Sequence, residues 1–569
     1  MTESAFAHLG EQRFDVAIIG GGIIGAGIAR DAALRGLKVA LFEKDDFASG
    51  TSSASTRLAH GGLRYLELFD FGLVRQDLGE REILLRIAPH LVKPLPFVVP
   101  LWSRSLFYRL KLKIGMVLYD VLSYDKSLPN HRFWSREETL RQEPMLNPEG
   151  LQGAMCYYDA QVPSTERLVL ENIIDAREHG AEIWNHTAVL SLLEEGQLVN
   201  GLKVRHEPSG ETADVHARLV INAAGPWLDS LTTRLLHEPS RRVRMTKGIH
   251  FTSPPASNNA LVLFSNQDNR LFFVIPWQGY AWVGTTDTDY KDLPELVRAD
   301  GADVRYLRES VEGFLPEADW NTIYYTTAGL RALVRKEGVS ESAVSRKHAL
   351  VDYARVEGRE GIIAVVGGKL TAYRGIAQEV VDMACKKLGR SEKSRTAHEP
   401  LPGGRLPRSG KKPRLDLLYF RKQLMQENTG LGLSAEQLDH LLELYGVMTL
   451  KLLALVRKQP ALATPIHLDY PDILAQIHYA IEQEYCLTAA DFNFRRTVLG
   501  FTKDQGAAAL EAVIDEMGKI LNWSEEMRAE QRELYQRTVA RSQAFRVELN
   551  CVQAEPAPAK DVTEPSILN

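Results

Sequence analysis

The stretch that most constrains this chain is Asp15-Val16-Ala17-Ile18-Ile19-Gly20-Gly21-Gly22-Ile23-Ile24-Gly25-Ala26-Gly27, followed after a helical run by Val39-Ala40-Leu41-Phe42-Glu43. A β-branched strand empties into Gly-x-Gly-x-x-Gly, a helix of small residues runs from Ile24 to Arg35, and a second strand ends on an acid. That is the pattern of a βαβ dinucleotide site. Gly20 makes the tight turn, Gly22 lets the backbone approach a pyrophosphate, and Gly25 lets the helix pack close to the strand. The first N–H groups of the helix carry partial positive charge and face the phosphates. Glu43 stands at the tip of the second strand, where a carboxylate accepts ribose hydroxyls. Glycines also mark ordinary turns, so the weight rests on strand, helix, second strand and acid falling in register.

With 569 residues the chain has room for two or three domains. A net charge of -5 lacks the basic field of a nucleic-acid binder, so no nucleic-acid partner is expected. Cys156, Cys385, Cys486 and Cys551 are too scattered for a disulfide framework or a metal site and suit a reducing cytoplasm. Met1-Thr2-Glu3-Ser4 has neither the basic nor the apolar region of a secretion signal, and none is expected. No run approaches the ~20 apolar residues that span a bilayer. Any membrane contact is expected at the surface.

The nucleotide unit is not completed locally. Leu219 to Asn222 leads into Ala223-Ala224-Gly225-Pro226-Trp227, and Ile362 to Val366 meets Gly367-Gly368-Lys369. Three strand-to-glycine junctions imply one discontinuous sheet whose ends converge on one ligand. Between them, Arg242 to Phe251 and Leu271 to Thr286 are rich in β-branched and aromatic residues and read as an antiparallel sheet. The expected division is an oxidoreductase region over 1–400, with a nucleotide-binding domain over 13–90, 151–235 and 355–395 and a substrate domain over 91–150 and 236–354. A Pro-, Gly- and Lys-rich linker over 401–414 follows, then helices over 415–550, where Leu438, Leu441, Leu442 and Tyr445 recur at helical spacing. The Pro-containing tail over 551–569 is expected to be disordered.

Three short stretches carry candidate chemistry. The hydroxyls of Thr51, Ser52 and Ser53 suit pyrophosphate or flavin contacts, against the plainer reading of a solvated loop. In His60-Gly61-Gly62-Leu63-Arg64-Tyr65 an imidazole, a guanidinium and a phenol follow one another around two glycines, a trio able to hold an anionic substrate and accept a hydroxyl proton. A structural turn is the alternative. At Gly367-Gly368-Lys369-Leu370-Thr371, helix N–H groups and a lysine could stabilise negative charge on a reduced flavin; Walker spacing is absent.

Together these residues resemble FAD-dependent glycerol-3-phosphate dehydrogenases. The resemblance runs from about Phe14 to Arg374 through Thr51 to Glu67, Asn222 to Trp227, Ile275-Pro276-Trp277, Gly284 to Asp287, Gly329-Leu330-Arg331 and Gly367 to Thr371. It implies an α/β protein with a glutathione-reductase-type FAD-binding domain, an antiparallel-sheet substrate domain and a helical C-terminal domain. FAD would be held noncovalently by Gly20, Gly22, Gly25, Glu43, Thr51, Ser52, Ser53, Ala224, Gly225, Gly368, Leu370 and Thr371. Glycerol 3-phosphate would be bound by Arg64, Tyr65, His250 and Arg346, with His60 as base and Arg331 and Lys369 on the reacting oxygen. Cations suit a phosphomonoester of about two negative charges. Ala332 departs from the family, which carries Pro after the Arg, so the turn there is less rigid.

A reduced flavin passes its electrons on, and Leu101 to Leu118 bears on where. Trp102, Leu106, Leu110, Ile114 and Leu118 lie at helical spacing with Arg104, Arg109, Lys111 and Lys113 interleaved, which reads as a basic amphipathic helix on an anionic membrane surface. A core helix with snorkelling lysines is the alternative. The resulting expectation is a quinone-linked dehydrogenase, peripheral on the inner face of the cell membrane. An oxygen-reducing oxidase, a catalytically idle flavoprotein docked on a membrane and an NAD-dependent dehydrogenase are the competing readings. A homodimer is left open.

Overall fold

The computed structural model describes residues 6, 8–62, 69–102, 106–335, 347–407, 412–428 and 430–553. Residues 63–68, with the expected substrate ligands Arg64 and Tyr65, lie outside it, as do Arg346 and the tail from 554.

Five strands form a parallel sheet in the order Ile362–Val366, Thr212–Asn222, Arg13–Ile19, Val39–Phe42, Glu182–Trp184. Ala349–Asp352 adds an antiparallel edge, and the hairpin of Thr187–Glu195 and Leu198–His206 joins the lower part of Thr212–Asn222. Val39–Phe42 and Ile362–Val366 are buried at every position, as expected of parallel strands covered on both faces. Helix Ile23–Leu34 packs between helices Thr165–Glu178 and Tyr373–Leu388. Its small residues permit this: a Cβ on Gly27 would stand 2.9 Å from the Tyr373 ring. In register, Ile19 lies beside both Phe42 and Asn222, and Asn222 beside Ala364. The three glycine junctions and Glu43 therefore open on one edge of the sheet, as the sequence predicts.

Among the described residues the second sheet has ten strands and is antiparallel except where Ala260–Phe264 runs parallel to Lys93–Leu101. Three strands fall in the sheet opposite to the expected one. Gly153–Gln161, expected in the nucleotide domain, pairs along its whole length with Lys93–Leu101 of the substrate sheet and also holds Leu58–Ala59, likewise expected in the nucleotide domain. Conversely, Ala349–Asp352, expected in the substrate domain, hydrogen-bonds to Ile362–Val366. Strand pairing between distant segments decides all three, and apolar pattern alone does not reveal a partner.

Helices fill the C-terminal part, from Pro413–Glu427 to Phe545–Gln553. The stretch expected as a linker opens on a buried turn at Pro402–Gly404, where the Gly403 amide donates to Glu171 at 3.0 Å. These glycines are packing sites: a Cβ on Gly404 would lie 2.3 Å from the Ile87 carbonyl oxygen. The helices are joined to the nucleotide unit by buried charge, with Asp46 accepting from Arg496 at 2.6 and 2.8 Å and from Arg495 at 2.5 Å.

The expected amphipathic helix is real but differently placed. Leu101 ends a strand, Trp102 packs on Phe314 and donates to Asn147, and the helix spans Leu106–Leu122. Its buried face carries Met116 and Tyr119, and Leu118 is half-buried against the same core. Leu110, Ile114, Val117 and Val121 are exposed on the opposite face, with Lys111 and Lys113 also exposed. Leu110 and Ile114 of the expected stripe lie on the exposed face, whereas Trp102 precedes the helix and Leu118 turns inward, because a four-residue spacing drifts around a helix of 3.6 residues per turn. No described helix is long and apolar enough to cross a membrane.

Candidate active site

The glycine junctions and the antiparallel sheet enclose a cavity of about 580 Å³. At its nucleotide end, Gly20 adopts φ +106°, and a Cβ there would lie 2.8 Å from the Ala223 carbonyl oxygen. Gly25 faces away from the cavity: its Cβ would fall 1.9 Å from the Gly20 carbonyl oxygen, so it serves helix packing. Gly22 opens on the cavity, with Ser52 Oγ at 3.3 Å the nearest atom to an added Cβ. Ser52 Oγ accepts from the Ile23 amide at 3.0 Å and so caps the helix Ile23–Leu34, whose N-terminal N–H groups suit phosphate. Glu43 accepts from the amides of Gly21 at 2.7 Å and Asp45 at 3.0 Å, which aims its carboxylate into the cavity wall. Burial pushes its acidity down and its pKa up, against the pull of those two donors.

Thr51, Ala224, Gly225, Gly368, Leu370 and Thr371 also line the cavity. Ser53 does not; its hydroxyl donates to Ala48 at 2.6 Å and closes the loop on itself. Residues that composition did not single out complete this end. Trp227 donates its ring N–H to Glu295, Lys44 lies 4.6 Å above the Trp227 ring, and Lys44 pairs with Glu295 at 3.0 Å. Trp227 was visible in the second junction, whereas Lys44 and Glu295 meet only through folding. A long cavity with a capped helix start, an aimed carboxylate and a glycine that leaves room for phosphate fits the dinucleotide FAD.

At the other end, the His60 amide donates to Thr371 Oγ1 at 3.0 Å, and its ring meets Phe273 edge-on at 6.4 Å. The next amide, Gly61, donates to Tyr119 Oη at 3.1 Å. Arg331 reaches across from the antiparallel sheet, donating to Thr285 Oγ1 at 2.9 Å and pairing with Asp287 at 3.2 Å. Lys369 donates to Asp77 at 2.7 Å. Desolvation pushes the Asp77 carboxyl up to about 6, with Lys369 opposing the shift. His60, Arg331 and Lys369 thus line one cavity with Lys347, a further cation that no motif pointed to.

His250 lies in the wall rather than among these cations. It is buried, stacked on Trp282 at 5.0 Å, with Nε2 3.0 Å from Thr56 Oγ1. Burial, Arg331 and Arg57 push its pKa down to about 3, so it meets a ligand only as a neutral ring. Behind it, Arg57 makes paired 2.8 Å hydrogen bonds to Glu166 and lies 4.6 Å from Trp277 and 4.7 Å from Phe501.

Glycine loops at the ends of parallel strands, facing cations on an antiparallel sheet across one cavity, define a two-domain flavoprotein oxidoreductase. Comparison with known proteins agrees: residues 15–382 match the family described as FAD dependent oxidoreductase, and residues 394–528 match the C-terminal domain of alpha-glycerophosphate oxidase. A glycerol-3-phosphate dehydrogenase of Synechocystis is 37% identical over 550 residues, 93% of this chain and 97% of that protein. An aerobic glycerol-3-phosphate dehydrogenase of Staphylococcus haemolyticus is 33% identical over 92% of this chain and 94% of its own length. Among solved structures, the glycerol-3-phosphate dehydrogenase of Bacillus halodurans complexed with FAD superposes with a TM-score of 0.76 at 27% identity, covering 95% of this chain and 97% of that one. The chain belongs to the FAD-dependent glycerol-3-phosphate dehydrogenase family.

Proposed function

We propose that this protein oxidises sn-glycerol 3-phosphate to dihydroxyacetone phosphate and passes the electrons to a membrane quinone. The observation that carries the reading is the set of cations, Arg331, Lys369 and Lys347, lining the cavity that also holds the FAD-binding glycines. FAD, when bound, supplies the hydride acceptor for the C2 hydrogen of the alcohol. His60 takes the hydroxyl proton, in the role of general base, on a loop fixed through Thr371 and Tyr119. Arg331 and Lys369 hold the phosphate and the oxygen on which negative charge develops, and Thr285 and Asp287, the partners of Arg331, keep its guanidinium aimed. Arg64, Tyr65 and Arg346 belong to the same proposed substrate set, and FAD contacts are proposed for the lining residues Gly20, Gly22, Glu43, Thr51, Ser52, Ala224, Gly225, Gly368, Leu370 and Thr371.

The exposed apolar face of Leu106–Leu122, with Lys111 and Lys113 beside it, supports peripheral docking on an anionic membrane, where quinone is dissolved. Anaerobic mixing with glycerol 3-phosphate tests the substrate: the flavin absorbance is expected to bleach, and free glycerol to leave it coloured. Reoxidation then separates the acceptors. A quinone analogue faster than oxygen supports the dehydrogenase; oxygen as the faster acceptor would make the protein a glycerol-3-phosphate oxidase. Replacing Ile114 and Val117 by Asp should release the protein from anionic vesicles while activity with a soluble dye persists, and retained vesicle binding would refute docking through this face.

A further inference from the structure

Three carboxylates cluster beneath the substrate end of the cavity: Asp77 and Glu80 on helix Phe71–Ile87, and Asp159 on strand Gly153–Gln161. All are buried, and two are matched by arginine. Glu80 accepts from Arg374 at 2.5 and 2.7 Å, and Asp159 accepts from Arg81 at 2.6 Å and from Tyr119 Oη at 2.7 Å. Asp77 differs. Its side chain is 1% exposed, its Oδ2 accepts from Lys369 at 2.7 Å, and its Oδ1 is buried with no hydrogen-bond partner among the described residues. A buried carboxylate with half its acceptors unused is an expensive group to keep for packing alone.

Its geometry assigns a use. Lys369 follows Gly367 and Gly368, both at positive φ, and precedes helix Tyr373–Leu388. The loop sets the Lys369 backbone, and the ammonium at the end of a four-carbon stem takes its position from the groups that bind it. Asp77 reaches it from a different element, helix Phe71–Ile87 behind the cavity lining, and binds it where the lysine side chain is only 16% exposed. Glu80 and Asp159 are taken up by their own arginines, whereas Asp77 pairs with Lys369.

Resting on the oxidation proposed above, we infer that Asp77 is a positioning residue for the reaction: it holds the Lys369 ammonium at the cavity wall and so directs that cation onto the substrate. Asp77 touches no reacting atom. Its effect should therefore exist only while Lys369 is present, which a double-mutant cycle measures.

The test uses FAD-loaded protein at pH 8, where Asp77 is ionised. Asp77→Asn, Lys369→Met and the double variant are compared for the rate of flavin bleaching by glycerol 3-phosphate and for dihydroxyacetone phosphate binding, read from the flavin difference spectrum without turnover. Lys369→Met should slow bleaching about 100-fold and Asp77→Asn at least 10-fold, with flavin content unchanged; the double variant should be no slower than Lys369→Met. Weakened binding of dihydroxyacetone phosphate should follow the same non-additive pattern. Asp77→Ser, which leaves space for water, repeats the cycle if Asp77→Asn does not fold. Losses that multiply in the double variant, an Asp77→Asn protein that behaves as wild type, or loss of FAD on either Asp77 substitution would overturn the assignment. Wild-type protein that glycerol 3-phosphate fails to bleach would instead overturn the oxidation itself.

Discussion

Two glycines of one motif should fail in opposite ways. At Gly22 the backbone sits at φ -76° and ψ -178°, which any residue adopts, and an added Cβ meets nothing closer than Ser52 Oγ at 3.3 Å. Gly22→Val should leave the apoprotein stable and place its methyl groups where phosphate must approach. Losing one charge-assisted hydrogen bond of about 1.5–3 kcal/mol would weaken FAD binding roughly 10- to 150-fold. At Gly25 the added Cβ falls 1.9 Å from the Gly20 carbonyl oxygen, a backbone atom that cannot rotate away. Gly25→Ala should therefore destabilise the apoprotein by at least the roughly 1–3 kcal/mol typical of overpacking. Urea unfolding of apoprotein and titration with FAD, followed by quenching of flavin fluorescence, separate the two effects. Gly22→Val should keep the wild-type unfolding midpoint and lose affinity; Gly25→Ala should lose the midpoint. Wild-type affinity in Gly22→Val, or a wild-type midpoint in Gly25→Ala, would refute this division of labour.

Gly248→Ala offers a way to move Arg331 without changing it, because the new Cβ would come 2.4 Å from its Nη2, at the end of a flexible side chain. The variant should fold and stay coloured, with kcat/KM for glycerol 3-phosphate down at least 10-fold; unchanged kinetics would separate the guanidinium position from catalysis. His250 predicts a pH dependence of stability. Its folded pKa of about 3 lies below the ordinary 6.5, so its contribution is fully present above pH 6.5 and is lost as pH falls through 6.5 toward 3, as the unfolded chain alone binds the proton. His250→Gln should flatten the acid side of the stability profile in that window, measured by unfolding midpoints; an unchanged slope would show that His250 is not held neutral. Asp46→Ala should cost about 3–5 kcal/mol, since Arg495 and Arg496 would be left buried without their shared carboxylate. Denaturant unfolding checks it, and a loss under 1 kcal/mol would mean the two arginines find other partners.

Local chemistry wrote the nucleotide end of this protein into its sequence. Gly20, Gly22, Gly25 and Glu43 act through turn geometry and close approach, which are properties of neighbouring residues, and the junctions at Ala223-Ala224-Gly225 and Gly367-Gly368 announce themselves in the same way. The amphipathic character of the segment before Leu122 was also legible, but where its helix starts was not, because where a strand stops depends on the partner strand Gly153–Gln161 that holds Lys93–Leu101. That same long-range pairing moved Gly153–Gln161 and Ala349–Asp352 between sheets. Only tertiary structure turned Ser53 onto Ala48, set His250 against Trp282 as a buried neutral ring, and brought Asp77 to Lys369 from 292 residues away. A hydrogen bond or a desolvation cost depends on distance in space, and a sequence orders residues only along the chain; the chemistry of each group was readable from its identity, while its partner and its charge state were set by what folding placed beside it.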